Sequence, residues 1–162
     1  IADKMGAERI GQCEKHDTGV SFYGVYYGQA ALPHAPERFF YLDNAVIRGL
    51  KVYNTETSSY IPVYDLGAAA GRDPYEMFLG GARSIIRITN PNAAKERRLV
   101  VFRDSFGSSI APLLAAGYSE ITLVDIRYIS PSALGRLIDF TKADDALFLY
   151  SASVINNSET IK

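Results

Sequence analysis

Residues 98–103 read RLVVFR, and DSFGSS (104–109) and IAPLLAAGY (110–118) follow at once; this stretch decides the fold. RLVVF is a compact β-branched run bounded by charge, the signature of a buried strand, and DSFGSS is too polar and glycine-broken to continue it. IAPLLAAGY repeats apolar residues at helical spacing, with Gly117 placed to end the helix. Downstream, EITLVDIRY (120–128) reads as a second buried strand, and Ser130-Pro131 supply an N-cap and an N1 proline for SALGRLIDFTK (132–142). ALFLY (146–150) closes a third strand. The order βαβαβ with short connections predicts right-handed crossovers and a parallel sheet covered by helices.

Upstream the texture differs. From Lys15 to about Asn90 the chain is short-period and punctuated: SFYGVYYG, ALPHAPERF, FFYLDNAVIRGLKVYN, SSYIPVYD and SIIRITN read as strands and loops. RDPYEMFLGG (72–81) is a turn and a short apolar stretch ending in paired glycines, and NPNAAKERR (90–98) is a polar connector opened by an Asn-Pro turn signal. The first residues, IADKMGAERIG, read as the end of a helix stopped by Gly6 and Gly11, and the chain begins with Ile1 rather than Met. The expectation is a single domain over 1–162, the C-terminal piece of something longer. No internal repeat or low-complexity tract is present.

Composition excludes several classes. At 162 residues and 48% hydrophobic, the chain buries a core without disulfide or metal staples. Seventeen Lys+Arg against eighteen Asp+Glu leave a net charge of -1, so no field steers it toward nucleic acid. Its apolar runs fall far short of the roughly 20 residues that span a bilayer, which predicts a water-soluble piece. One cysteine, Cys13, permits no internal disulfide and reads as an inert thiol, and two histidines are a thin supply for metal; neither metal nor cofactor is expected.

In open α/β sheets reactive groups gather at the carboxyl ends of the strands. Ser105 stands there, between a buried strand and a helix N-terminus, where a hydroxyl is lifted clear of the sheet and backbone N–H groups receive an oxyanion. The same placement suits a simple helix cap by Asp104, Ser105 or Ser108, or a phosphate cradle. Both readings stand on spacing alone.

Residues 97–130, RRLVVFRDSFGSSIAPLLAAGYSEITLVDIRYIS, together with upstream YEMFLGG and downstream DDALFLYSASVINN, resemble the C-terminal half of the bacterial DHHW family. The shared pattern is a strand, a (K/R)DS(F/Y) turn, an A-P-x-L helix, a YSE-(I/V) turn and a D-x-R-Y strand end, matched from Tyr75 to Asn156; Ser21 to Asn54 resembles the family more loosely. That family is similar to the SGNH-hydrolase-like domains of alginate O-acetyltransferases. The resemblance implies a three-layer sandwich and makes Ser105 the nucleophile of acyl transfer or ester hydrolysis on cell-envelope carbohydrate. Its activating Asp and His belong to a namesake Asp-His-His-Trp segment N-terminal to the matched part, and no DHHW string occurs in this sequence. An extracytoplasmic protein, secreted or anchored through a segment outside this chain, is also implied. A membrane-bound O-acyltransferase would be its partner.

Around Ser105, its own N–H and those of Phe106 and Gly107 are candidate oxyanion donors. Gly80 and Gly81 allow close backbone approach to a ligand, or are simply turn glycines. Where the family continues FLGG with Asn, this chain has Ala82. Losing such a side-chain donor typically costs about 2.7–4 kcal/mol in the transition state. Alternation along VDIRY puts Asp125 and Arg127 on one face at the strand end, where they orient substrate or form a structural ion pair. Asn156 lines the cleft or caps a loop. His16-Asp17 reads as a solvated pair in a polar KHDTG turn and His34 as a loop residue between prolines; either serves as base only if folding brings it to Ser105. The aromatics of SFYGVYYG offer a sugar-stacking platform or half a core. The rival to an enzyme is a non-catalytic domain that holds a glycan or partner in the same cleft. A dinucleotide site lacks its G-x-G-x-x-G, since RDSFGSS has a single glycine.

Overall fold

The computed structural model describes residues 1–24, 27, 33–157 and 159. Among them, strands β3 (Lys51–Asn54), β4 (Ser59–Ile61), β5 (Ile85–Thr89), β6 (Arg98–Arg103), β7 (Glu120–Val124) and β8 (Asp145–Leu149) form one six-stranded sheet in the order β4-β3-β5-β7-β6-β8. β1 (Glu14–Phe22) and β2 (Glu37–Asp43) make a separate antiparallel pair. Helices α1 (Ala45–Arg48), α2 (Phe106–Leu114), α3 (Pro131–Leu137) and α4 (Ala152–Asn156) complete the regular structure, with short 3₁₀ turns between.

The βαβαβ unit is present as β6–α2–β7–α3–β8, and β6 pairs in parallel with both β7 and β8. Strand alternation divides its side chains between two cores. Leu99, Val101, Ile121 and Leu123 face a larger core with Ala111, Leu114 and Ala115 of the α2 region. Val100 and Val124 face a second core with Leu134 of α3 and Ile138 just after it. The two crossovers leave β6 and β7 in opposite directions, so crossovers of one hand place α2 and α3 on opposite faces.

The sheet is mixed, which corrects the parallel expectation. β5 runs antiparallel to β7, with Ile85 opposite Val124 and Thr89 opposite Glu120, and β3 and β4 continue antiparallel beyond it. The reason is the connector at 90–97: it joins β5 to β6 at one end of the sheet, whereas a parallel strand needs a crossover of a dozen or more residues. β1 and β2 pack through a third, aromatic core in which Phe22, Phe39 and Tyr41 meet Tyr64, Tyr75, Met77 and Phe78. His16 therefore lies in a strand rather than a turn, opposite Tyr41 and stacked on its ring, while Asp17 pairs with Arg38. Polar residues in a two-stranded hairpin imitate turn composition, and that misled the sequence reading.

Two helix expectations also change. Gly117 is no left-handed cap: a Cβ there would stand 2.8 Å from the Cβ of Ala7 and 3.0 Å from the Glu8 nitrogen, so it is small because the N-terminal segment crosses it. The N-terminal helix end is instead a 3₁₀ turn, Ala2–Met5, stopped by Gly6 at φ +60°.

Candidate functional site

The carboxyl ends of β6, β7 and β8 lie along one edge of the sheet, and because β5 is antiparallel, the loop that precedes it arrives at the same edge. The serine turn, Asp125 and Arg127, Ser151 and α4, and the Gly80–Ser84 loop are thus gathered there. The Ser84 carbonyl accepts from the Asp125 N–H at 2.9 Å, and the Arg83 carbonyl accepts from Arg103 at 3.4 Å.

Ser105 occupies the N-cap position of α2, yet its hydroxyl caps nothing. Asp104, 1% exposed, does that work: its Oδ1 accepts from the Phe106 N–H at 3.0 Å and its Oδ2 from the Ser151 N–H at 2.6 Å, tying the turn to the segment after β8. The Ser105 side chain is half-buried and, among the described residues, neither its hydroxyl nor its backbone N–H has an intramolecular partner. The two readings of this turn therefore separate between neighbours, with Asp104 as the cap and Ser105 left free.

The N–H groups of Phe106 and Gly107, expected as oxyanion donors, are engaged within the turn. The Phe106 N–H is bound to Asp104 Oδ1, and the Gly107 N–H donates to the Asp104 carbonyl at 3.1 Å. A one-residue cap closes the first turn tightly and uses both groups, leaving only Ser105's own N–H of the three. Gly107 is small for another reason: a Cβ there would lie 2.5 Å from the Cβ of Arg103.

The FLGG segment is wound unusually. Leu79, Gly80 and Gly81 take φ of +53°, +70° and +79°, so three consecutive residues are left-handed and one is a fully buried leucine. The strain in a bulky residue there is held by its place in the larger core.

Asp125 is fully buried and receives Arg127 in a bidentate grip, Nε to Oδ1 at 2.9 Å and Nη2 to Oδ2 at 2.7 Å. The ion pair is the geometry found, and its hydrogen bond raises the Arg127 pKa further. It does not come from strand alternation: β7 ends at Val124 and 126–128 is a turn, so Arg127 folds back onto Asp125. Asn156 is exposed at the end of α4.

Sequence reading passed over Arg103. Its side chain is 1% exposed, on the sheet face that carries Leu99 and Val101, and Asp125 Oδ2 stands 3.8 Å from Nη1. Parity along RLVVFR held the signal, since position 103 shares a face with 99 and 101. Nearby, Glu56 accepts from the N–H and hydroxyl of Ser84, and these bonds hold its carboxyl below the usual range.

Neither histidine bonds to Ser105 among the described residues; His16 faces Glu14 at 3.4 Å, and His34 packs on Tyr23 and Tyr27. Tyr75 connects the serine turn with the aromatic core: its ring meets Phe106 and Phe22, and its hydroxyl contacts Ser109 Oγ at 2.6 Å. An open cleft of about 540 Å³ lies beside it, lined by Phe22, Tyr23, Arg72, Asp73, Pro74 and Glu76 among others. The rest of the SFYGVYYG platform, residues 25, 26 and 28, lies outside the described residues.

The DHHW protein family matches residues 4–124, three quarters of the chain and across the serine turn. The chain belongs to the DHHW family. Among solved structures it is similar to a DHHW family protein from Eubacterium siraeum, with TM-score 0.69 and 21% identity over 99% of this chain and 56% of that one. It is also similar to PatB1 of Bacillus cereus with a sulfonyl adduct, with TM-score 0.67 and 19% identity over 95% of this chain and 54% of that one. A second PatB1 structure gives TM-score 0.57 and 24% identity over 76% and 43%. At these identities the likeness is one of fold, and the chain spans little more than half the length of the first two of these solved structures. No curated protein matches.

Proposed function

We propose that this chain is the serine-bearing part of an SGNH-like acyltransferase or esterase acting on cell-envelope carbohydrate outside the cytoplasm, with Ser105 as nucleophile. The observation that carries the reading is the division of labour in the turn: Asp104 caps α2, and the Ser105 hydroxyl and N–H remain unengaged at the carboxyl edge. Membership of the DHHW family and the sulfonyl adduct on PatB1 support it, because sulfonylation is a reaction of activated nucleophiles.

In this mechanism Ser105 Oγ attacks the acyl carbonyl carbon while its proton passes to a base, the family's Asp-His pair from the N-terminal segment. The Ser105 N–H receives the oxyanion. Collapse expels the donor's oxygen, which takes the proton back, and leaves an acyl-serine ester. A sugar hydroxyl, or water, then attacks that ester and regenerates Ser105. The cleft beside Tyr75 suits the acceptor, since it combines flat aromatic faces with charged groups. A membrane-bound O-acyltransferase is the proposed source of the acyl group.

The test is intact-mass detection of a fluorophosphonate adduct, mapped to its residue, on this chain and on an N-terminally extended form. An adduct at Ser105, lost in Ser105→Ala, is the expected result. The substitution should lower turnover by about 10⁴ or more while moving stability by under about 0.5 kcal/mol, because the hydroxyl bonds nothing. No adduct in either form replaces this reading with the non-catalytic glycan- or partner-binding domain, which Ala82 in place of the family's Asn favours.

A further inference from the structure

We propose that Arg103 is the positioning residue of this site, a buried strut that sets the serine turn against the glycine loop. The inference rests on Ser105 being the nucleophile. Its stem runs beneath the first turn of α2, so close that a Cβ on Gly107 would meet Arg103 Cβ, Cγ and Cδ at 2.5, 2.9 and 3.1 Å. Its head reaches three segments at once. Nη1 donates to the Asp104 carbonyl at 3.4 Å and faces Asp125 at 3.8 Å, and Nη2 donates to the Arg83 carbonyl at 3.4 Å. One guanidinium therefore joins the residue before Ser105, the loop that follows Gly80-Gly81 and the end of β7.

A demand for stability alone does not explain this choice. The bonds are long, the buried Nε has no partner among the described residues, and burial pushes the guanidinium's pKa down against the pull of Asp125. Arginine cannot escape by losing its proton. Asp125 already has a better partner in the bidentate Arg127. The position faces an apolar core, where well-packed hydrophobic replacement of a buried charge is often neutral or stabilising. What an apolar side chain cannot do is hold two loop carbonyls in fixed register, and that register sets the distance between the nucleophile and whatever the glycine loop presents to the substrate.

The experiment compares wild type, Arg103→Met and Arg103→Lys, in whichever form labels, by saturation kinetics of fluorophosphonate inactivation. Thermal unfolding and amide exchange over 79–84 and 104–107 are followed in parallel. In Arg103→Met the maximal inactivation rate should fall by about tenfold or more, as expected for a sub-ångström to 1 Å misplacement. The half-saturating concentration and the melting temperature should stay near wild type, and both segments should lose exchange protection together. Arg103→Lys keeps the charge, as the (K/R) position of the turn pattern admits, but lacks the planar fork, so its rate should lie between those of wild type and Arg103→Met; it carries the test if the methionine variant fails to fold. An inactivation rate unchanged from wild type overturns the positioning role and leaves the serine reading intact. A slower rate that Lys fully restores, or that merely tracks a lowered melting temperature, also overturns it. No Ser105 adduct in wild type overturns the serine reading itself, and the positioning role falls with it.

Discussion

Arg98 and Arg103 stand at the two ends of β6 and meet opposite fates. Arg98 leaves 36% of its side chain exposed and bonds Glu96 at 3.2 Å, at the edge of a cleft it shares with Arg87, Glu120, Asp139 and Lys142. Arg103 is buried against Asp104 and Asp125. At the amino end of β6 Arg98 thus keeps its charge largely in water, where a pair weighs little, and at the carboxyl end Arg103 carries the same kind of charge inside the protein. Removing the shared Asp125 carboxylate leaves two guanidinium groups without their partner, whereas removing one member of a solvated pair leaves a hydrated side chain.

The largest effect expected from this contrast is at Asp125. Asp125→Ala strips Arg103 and Arg127 of their shared carboxylate and should destabilise by about 3–5 kcal/mol. Glu120→Ala removes the exposed partner of Arg87, 3.7 Å away, and should cost under about 1 kcal/mol. Urea unfolding of both reads the contrast, and equal losses would break it. A smaller effect is expected from glycines. Gly107→Ala drives a methyl into Arg103 and should cost about 1–3 kcal/mol by overpacking. Gly135→Ala in α3, where a Cβ meets nothing, should stabilise by about 0.4–1 kcal/mol. The smallest effect concerns pH. Glu56 is held below its ordinary 4.5 mainly by the Ser84 N–H, so its contribution is present above that value and drains away as pH falls through the lower folded-state value. The stability advantage of wild type over Glu56→Gln near neutrality should accordingly vanish in acid, as melting curves from pH 7 downward would show.

The order β6–α2–β7–α3–β8 was legible because parallel strands are apolar on both faces and helices repeat at 3.6 residues, both local properties of the chain. The direction of β5 was not, since SIIRITN carries the same pattern whichever way it pairs and only the short connector at 90–97 fixes its sense. The Asp125–Arg127 pair was readable as chemistry but not as geometry, because the strand stops one residue before it. The engagement of the Phe106 and Gly107 N–H groups by Asp104 was not legible from spacing, since Asp104 and Ser105 are equally good caps on paper and only folding decides which one takes them. Arg103 was hidden by convention, since a charge closing an apolar run reads as the water boundary.

The left-handed run at Leu79, Gly80 and Gly81 has a consequence for how this chain is free to vary. A leucine in that conformation is strained by about 1–2 kcal/mol, which glycine would relieve, but glycine there would empty a fully buried core position, a loss of about 2–5 kcal/mol. A β-branched residue would fill the core and deepen the strain. Both of these single steps away from Leu79 therefore lose stability, one through an emptied core and the other through a strained backbone.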